Sequence, residues 1–308
     1  MYGYIDLLEI SHEYDVAVAR AETKRKNLKA RLKCESYSDR QFVKRYRLTK
    51  ELTRELICKL TPHMPPVLRS DALDVETKIL VALAFYASGS YQTIVGDSRN
   101  HIFSQASVSK AIRQVTTALN NPAVINEYIA FPFKLCEREQ VKRDFYHKFK
   151  IPALGCIDGT HVAIVCPAKY EERFFNRKGY HSINVMIICD SNLNILCVDA
   201  SYPGSTHDSV VWANHPLNGY IERLHINHGE DLHLLGDSGY PLRPTMMTPI
   251  SEPRPGTPEQ YYQDLHLTAR NVVERCIGVL KARFRCLLVD RKLHYTPVTA
   301  ARIVNACC

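Results

Sequence analysis

The stretch of sequence that decides the fold is Ala153–Val165, which reads ALGCIDGTHVAIV. It is apolar on both sides of a polar centre, and a segment that is apolar on both faces is typical of a strand covered on both sides in an α/β sheet. Asp158 lies at that centre, and a buried carboxylate is costly unless a metal or another cation pairs with it. Gly159 would allow a ligand or a backbone segment to come close. The pattern therefore predicts either a catalytic aspartate or a structural aspartate in a turn at the end of the strand.

A second aspartate follows a second apolar run. Leu232–Leu235 predicts a short strand, and Gly236-Asp237-Ser238-Gly239 comes directly after it. Glycine is typical of a strand end, and the carboxyl ends of the strands in an open α/β sheet form the crevice where ligands bind. We therefore expect Asp237 at that crevice. The alternative is a plain turn in which the aspartate side chain bonds to nearby backbone.

The third carboxylate belongs to a predicted amphipathic helix. Apolar residues recur at three- and four-residue spacing at Val272, Val273, Cys276, Ile277, Leu280 and Phe284. Glu274 lies on a neighbouring stripe with Gly278 and Lys281. The glycine costs helix stability, and this is explained if the stripe packs close to the sheet or if substrate passes there. A helical glutamate taken alone is most often solvated, so Glu274 is a candidate site residue only in combination with the two aspartates.

A fourth carboxylate, Asp208, lies in the segment Tyr202–Ser209, which follows the predicted strand Ile195–Ala200. One interpretation is structural: Ser205 or Thr206 caps a helix, and Asp208 in its first turn interacts favourably with the helix dipole. The functional interpretation places Asp208, with the neighbouring imidazole of His207, at the same edge of the sheet as Asp158 and Asp237.

Such a set of carboxylates predicts a site for divalent cations, because hard cations prefer carboxylate oxygens. Two ions about 3.5–4 Å apart can stabilise both the attacking and the leaving oxygen of an in-line displacement at phosphorus. The residue pattern therefore favours phosphoryl-transfer chemistry. A metal-dependent hydrolase of small phosphates would use the same ligands and is kept as an alternative.

Five motifs in this order resemble the transposase core of the PIF/Harbinger superfamily, of the DDE type, and specifically the Harbinger-transposase-derived nuclease family. They are Gly155–His161, Lys178–Asn184, Pro203–Ser209, Gly236–Leu242 and Arg270–Arg275, the last accompanied by Gly278 and Lys281. Together they cover about Ile151 to Leu288. The resemblance implies an RNase H-like fold, in which a mixed sheet is flanked by helices.

The resemblance also implies the chemistry of the site. Asp158, Asp237 and Glu274 match the acidic triad of the family, Asp208 matches a further metal-binding position, and all four are present. The four would hold one or two Mg²⁺ or Mn²⁺ ions, and the expected activity is cleavage of DNA phosphodiester bonds. A Myb-like DNA-binding protein is an expected partner, and a homo-oligomer is a further expectation. A domesticated protein that keeps the fold and binds DNA without cutting it is the main alternative.

Composition fits a nucleic-acid partner without requiring one. The chain has 308 residues, a formal net charge of +8 and 11 cysteines. A mildly basic protein suits an anionic partner. The odd number of cysteines, with no Cys-x-x-Cys pair, favours a reducing compartment, and no Cys/His set has the spacing of a zinc finger. We expect a nuclear protein that is also found in the cytoplasm, with no signal peptide and no membrane span.

The N-terminal half predicts helices. The expected organisation is a basic helical region at 1–70, a helical region at 71–150 with a candidate helix-turn-helix, and an RNase H-like nuclease domain at 151–308. The basic helix at 14–33 is either a solvated face or a nucleic-acid arm. A helix at 75–87, a short helix at 91–95 and a helix at 108–119 suit a helix-turn-helix, and a simple helical bundle remains the alternative. The residues that would face the major groove are Gln105, Ser107, Ser109, Lys110 and Arg113.

A basic turn between the first two predicted strands supplies further candidates for DNA contact. Arg173, Arg177 and Lys178 lie in this turn, and Lys281 lies on the helix of Glu274. The alternative is that these side chains only solvate a loop. The last residues, Ala300–Cys308, predict the start of a helix that the given sequence cuts short.

Overall fold

The computed structural model describes residues 18, 33–67, 72–92 and 103–308. Most of the predicted basic helix at 14–33 and most of the short helix at 91–95 lie outside these residues. The chain divides into two compact units, Met1–Ala118 and Leu119–Cys308. The predicted domain boundaries at 70 and 150 stay predictions.

The described part of the first unit is helical, as predicted. Its helices are α1 (Asp39–Tyr46), α2 (Lys50–Leu60), α3 (Val75–Ser88) and α4 (Gln105–Leu119), the last of which runs into the second unit. Asp74 begins α3 by accepting a hydrogen bond from the Thr77 amide at 2.8 Å, and Gly89 ends it with a positive φ of 62°, which glycine adopts without strain. The predicted helices on either side of the turn are confirmed, whereas the element between them falls largely on 93–102. The helix-turn-helix therefore stays a prediction.

The second unit is built on a five-stranded mixed sheet. Its strands are β1 (Gly155–Ala163), β2 (Ser182–Cys189), β3 (Ile195–Pro203), β4 (Leu234–Leu235) and β5 (Met246–Met247). They lie in the order β3-β2-β1-β4-β5. The first three are antiparallel neighbours, and β4 runs parallel to β1 and to β5. This is the mixed sheet of an RNase H-like core, as the family resemblance implies.

The helices of the second unit cover both faces of this sheet. They are α5 (Pro122–Tyr128), α6 (Leu135–Phe149), α7 (Glu171–Phe174), α8 (Asp208–Asn214), α9 (Pro216–His228), α10 (Pro258–Arg283) and α11 (Pro297–Cys307). The predicted final helix is thus confirmed. No described helix has both the length and the apolar character needed to cross a membrane.

Alternate residues of β1 pack into two separate apolar cores, which explains why its sequence is apolar on both faces. Ile157 joins a cluster that includes Met186 of β2 and Trp212 of α8. Cys156 joins a second cluster that includes Phe145 of α6 and Val273 of α10. Burial of each large apolar side chain contributes about 1.5–3 kcal/mol, so the core anchors α10 firmly against the strand that carries Asp158.

The position of Asp158 within β1 differs from the prediction. The sequence suggested that the strand ends near Asp158, but β1 continues through Thr160 and His161 to Ala163. The strand that ends here is its parallel neighbour: β4 pairs only Leu234 with Gly155 and Leu235 with Cys156. Asp158 therefore lies two residues past Cys156, the last residue of β1 that pairs with β4, although it still pairs with Ile187 of β2, and Asp237 lies two residues past the end of β4. The prediction of a turn at a strand end is confirmed for Asp237, which follows β4, and is wrong for Asp158, which lies inside β1.

Candidate active site

A single arginine, Arg270, links three of the four carboxylates that the sequence selects. Its Nη2 lies 3.2 Å from Asp158 Oδ2 and 4.0 Å from Asp237 Oδ2, and its Nη1 lies 2.5 Å from Glu274 Oε1. Asp158 comes from β1, Asp237 from the segment after β4, and Glu274 from α10. Carboxylates from three elements thus converge within reach of one guanidinium group.

Asp158 is the most enclosed of these three carboxylates, with 15% of its side chain exposed against 36% for Asp237 and 51% for Glu274. Burial raises the pKa of Asp158 to about 6, the Arg270 guanidinium opposes this rise, and Asp237 and Asp208 add to it. Burial destabilises a carboxylate charge, and a like charge nearby has the same effect. The site therefore favours a cation that carries more positive charge than the single guanidinium group of Arg270.

Asp237 is held by the turn that follows β4. Its Oδ1 accepts a hydrogen bond from the Gly239 amide at 2.9 Å. The turn that the sequence offered as an alternative is therefore real, and it leaves Oδ2 directed to Arg270. Gly239 also lies close to His207, since a Cβ on this glycine would come within 3.4 Å of His207 Cε1. The segment that leads to Asp208 thus meets the turn that presents Asp237.

Asp208 is the fourth carboxylate, and it lies beside Gly159 of β1. A Cβ on Gly159 would come within 2.7 Å of Asp208 Oδ2 and closer still to Oδ1. Asn184 of β2 donates from Nδ2 to Asp208 Oδ1 at 2.6 Å and to the Thr206 carbonyl at 2.9 Å. Asp208 opens α8, but the cap is His207, whose Nδ1 accepts from the Ser209 amide. The predicted cap at Ser205 or Thr206 is therefore wrong.

We expect Gly159→Ala to damage the site while leaving the strand intact. The new methyl group would overlap the Asp208 carboxylate, and such overpacking costs about 1–3 kcal/mol. If the chain has the DNA cleavage that its resemblance implies, displacement of Asp208 should lower that activity at least about tenfold, which is roughly 1.4 kcal/mol of transition-state stabilisation. Thermal unfolding and a nicking assay would measure both effects.

Gly278→Ala is the matched control, because no described atom lies within 4 Å of the Cβ that it would add. It should stabilise α10 by up to about 1 kcal/mol. Equal losses of stability in the two variants would mean that Gly159 is not specially crowded. The open space at Gly278 also shows that the helix stripe does not pack closely at this position, although Lys281 of the same stripe contacts β1; passage of substrate at Gly278 stays a prediction.

The predicted phosphate contacts fall into two groups by exposure. Arg173, Arg177 and Lys178 are exposed on the connection between β1 and β2. Lys281 is instead largely enclosed: its Nζ donates to the His161 carbonyl at 2.7 Å, and burial, assisted by the charge of Lys178, lowers its pKa to about 8. The sequence did not indicate that Lys281 fastens α10 to β1.

The candidate groove residues of α4 also differ in exposure. Gln105, Lys110 and Arg113 are exposed, whereas Ser107 and Ser109 are half-buried. Ser107 exchanges a hydrogen bond with Ser104 through their hydroxyl groups at 3.0 Å. Only the first three are open to a partner without rearrangement.

Three further residues of the site were not singled out from the sequence. Arg270 and Asn184 lie inside recognised motifs, but nothing in their spacing shows that one links carboxylates and the other holds Asp208. Tyr240 is buried, and its hydroxyl has no hydrogen-bond partner among the described residues. Burial raises its pKa, and the charges of Asp208, Asp158 and Asp237 raise it further. It lines the site as a neutral phenol.

Comparison with known proteins identifies clear relatives. The family model described as DDE superfamily endonuclease matches residues 157–308. The proteins named "Putative nuclease HARBI1" from Bos taurus and Homo sapiens are 36% and 35% identical over 283 residues, which is 90% of this chain and 78% of each relative. "Protein ALP1-like" from Arabidopsis thaliana is 24% identical over 254 residues, 77% of this chain and 59% of that protein. No solved structure matches the chain.

Proposed function

We propose, from the premise that this chain belongs to the Harbinger-transposase-derived nuclease family of DDE superfamily endonucleases, that it cleaves DNA phosphodiester bonds with divalent metal ions. The observation that carries the proposal is the convergence of Asp158, Asp237 and Glu274 on the Arg270 guanidinium. Three clustered carboxylates repel one another, so their native state requires a cation.

The donor set fits Mg²⁺ or Mn²⁺. Asp158, Asp208, Asp237 and Glu274 offer only carboxylate oxygens, which hard cations select over softer metals. These four residues would hold one or two ions. Such ions lower the pKa of bound water and stabilise the leaving 3′ oxygen. The expected products are a 3′-hydroxyl and a 5′-phosphate.

The residues of the chain have separate tasks in this mechanism. Asn184 holds Asp208 in position through its 2.6 Å hydrogen bond, and the Gly239 amide does the same for Asp237. Where a divalent cation took its place among the carboxylates, Arg270 would give up its present contacts with them. It is then free to face a phosphate oxygen, which guanidinium groups bind well.

The proposed substrate is DNA, in a nuclear protein that is also present in the cytoplasm. Support comes from exposed basic side chains on the β1–β2 connection and on α4, together with the net charge of +8. Phosphate contacts supply most of non-specific DNA affinity. A Myb-like DNA-binding partner and a homo-oligomer belong to the same proposal.

A plasmid-nicking assay with purified protein tests the activity. We expect nicked circles with Mg²⁺ or Mn²⁺ and none with EDTA. Binding without nicking under every metal would favour the alternative, a DNA-binding protein that does not cut. The observation in favour of that alternative is the Arg270 contact with three carboxylates, since this offsets part of their negative charge without a metal. Hydrolysis of small phosphate esters alone would favour the second alternative.

Metal binding should stabilise the folded chain. We expect Mn²⁺ or Mg²⁺ to raise the melting temperature, because a ligand that binds only the folded state stabilises it by about 2.7 kcal/mol at a concentration 100 times its Kd. Asp158→Asn should remove most of that shift, and Asp231→Asn, at an exposed carboxylate, should keep it. An equal shift in both variants would remove Asp158 from the metal site.

Salt dependence should locate the DNA contacts. The logarithm of affinity falls with the logarithm of salt by about 0.9 per phosphate neutralised. We therefore expect Arg173→Gln/Arg177→Gln/Lys178→Gln to flatten the slope by up to about 2.7, and Lys110→Gln/Arg113→Gln by up to about 1.8. Arg143→Gln, at an exposed residue of α6, is the control. Unaltered slopes in both multiple variants would place the contacts elsewhere on the chain.

A further inference from the structure

A thiol, a carboxylate and an imidazole meet at the base of the β1–β2 connection, outside the carboxylate site. Cys166 lies three residues after β1, Glu171 opens α7, and His181 directly precedes β2. One ligand atom from each residue lies within 4.8 Å of the other two. Glu171 Oε1 and His181 Nε2 are already 3.0 Å apart.

The separations suit a tetrahedral ion after a small adjustment. Ligand atoms at about 2.0–2.3 Å from zinc lie about 3.3–3.8 Å from one another in a tetrahedron. The thiol needs an inward movement of no more than about 1 Å to reach this range, and the Glu171 and His181 ligand atoms, 3.0 Å apart, need to separate slightly. Cys166 and Glu171 are exposed, so their side chains can make that adjustment without disturbing the core.

The backbone around the cluster is held by hydrogen bonds, which limits the ordering cost of binding. The Ile164 amide donates to the His181 carbonyl at 3.0 Å, and the Val165 amide donates to the Leu293 carbonyl at 3.1 Å. The Phe175 ring packs edge-on against the His181 imidazole, with centroids 5.3 Å apart. Two of the three ligands thus come from backbone that is fixed before an ion arrives.

We propose that Cys166, Glu171 and His181 bind a transition-metal ion of the Zn²⁺ class, with a water molecule as the fourth ligand. Mixed sulfur, nitrogen and oxygen donors favour zinc over magnesium, whereas the carboxylates of the active site have the opposite preference. Binding displaces the thiol proton to solvent. The two sites would therefore hold different metals.

The ion would fasten the basic connection to the sheet. Arg173, Arg177 and Lys178 all lie between the first and the last ligand. Within the same stretch, Asn176 Nδ2 donates to Ser182 Oγ at 2.8 Å, and the Arg173 carbonyl accepts from the Ser205 amide at 3.0 Å. Ser205 leads to Asp208, so a metal at the cluster would order the phosphate-binding side chains beside one edge of the active site. This consequence rests on the proposed nuclease function, whereas the binding of the ion does not.

Cobalt(II) titration of the full chain tests the site, because thiolate coordination to Co²⁺ gives a charge-transfer absorption that carboxylates cannot give. We expect this band at one equivalent in a chain that carries Asp158→Asn, and we expect Zn²⁺ to abolish it by displacement. Cys166→Ser should remove the band, and His181→Gln should lower the affinity for Co²⁺ at least tenfold. Cys136→Ser, at another exposed cysteine, should leave it unchanged.

A missing band, or a band that survives Cys166→Ser or disappears in Cys136→Ser, would overturn the proposal. Circular dichroism without metal distinguishes a folding defect in Cys166→Ser from loss of the metal site.

The ordering role has its own measurement, which is trypsin cleavage after Arg173, Arg177 and Lys178. Zn²⁺ should slow this cleavage in the wild type and not in Cys166→Ser; equal rates would show that the ion does not fasten the connection. A nicking assay that fails would contradict the nuclease function and leave the band intact.

Discussion

Asp158→Asn is expected to abolish strand cleavage, with a loss of at least about 10³ in rate, or roughly 4 kcal/mol of transition-state stabilisation. Asp158 is the most enclosed of the three carboxylates around Arg270, and its charge is central to the proposed metal site. The amide keeps the shape of the side chain and removes the charge. A single-turnover nicking assay under saturating Mn²⁺ would measure the loss.

The same variant should be more stable than the wild type when no metal is present. The pKa of Asp158 is raised from 3.8 to about 6 in the folded chain, so the wild type loses stability as the pH rises through this window. At neutral pH the cost is up to about 3 kcal/mol. Asparagine avoids this cost, and because the pKa of about 6 already includes the opposing effect of Arg270, the expected gain is up to about 3 kcal/mol.

Denaturant unfolding in EDTA checks this expectation at neutral pH and at a pH below 3.8. The gain should vanish at the lower pH, where the wild-type carboxyl is itself neutral. Asp264→Asn, at an exposed position of α10, controls for the general effect of removing a negative charge. A variant that cuts at the wild-type rate, or that loses stability at neutral pH, would contradict the role given to Asp158.

Glu274→Gln should separate binding from cutting. Glu274 is half exposed on α10, so its replacement need not disturb the core. DNA should bind as well as to the wild type or better, because repulsion between carboxylate and phosphate falls. Cleavage should decrease by at least about 10², on the order of 3 kcal/mol. Gel-shift and nicking assays on the same preparation would measure both.

Glu259→Gln, also exposed on α10, should leave both binding and cleavage unchanged. If Glu274→Gln cuts normally, Glu274 is not a ligand, and Asp208 becomes the better third carboxylate. If Glu274→Gln fails to bind DNA, loss of the ion pair with Arg270 has altered the DNA-binding surface. The loss of cleavage would then not support Glu274 as a metal ligand.

The sequence predicts the main sheet and its coverage because these follow from local pattern. Ala153–Val165 is apolar on both faces, and the structure buries alternate residues in two cores. The continuation of β1 past Asp158 comes from its pairing with β2 as far as Ala163, whereas the end of its pairing with β4 could not be predicted because it depends on the length of β4. A strand of two residues is too short to leave a periodic signal.

The four carboxylates could be predicted as site residues from their motifs. The role of Arg270, whose side chain lies between three of them, could not. Arg270 is four residues before Glu274, a spacing that ordinarily indicates a solvated ion pair on a helix surface. Only the packing of α10 against β1 shows that this arginine faces the sheet. The cluster of Cys166, Glu171 and His181 could not be predicted for a related reason. Its ligands are 5 and 10 residues apart along the chain, and only the folded β1–β2 connection brings them together.

The parallel pairing of β1 with β4 has a consequence for insertions and deletions. Asp158 and Asp237 each follow the last β1–β4 pair, Cys156 with Leu235, by two positions, so the separation of their backbones follows the spacing of adjacent strands, about 4.8 Å. A one-residue shift of β4 against β1 would turn Asp237 to the opposite face. Loss of nuclease function in a relative could therefore arise from a single inserted residue near Leu235, with every acidic residue still present in its sequence.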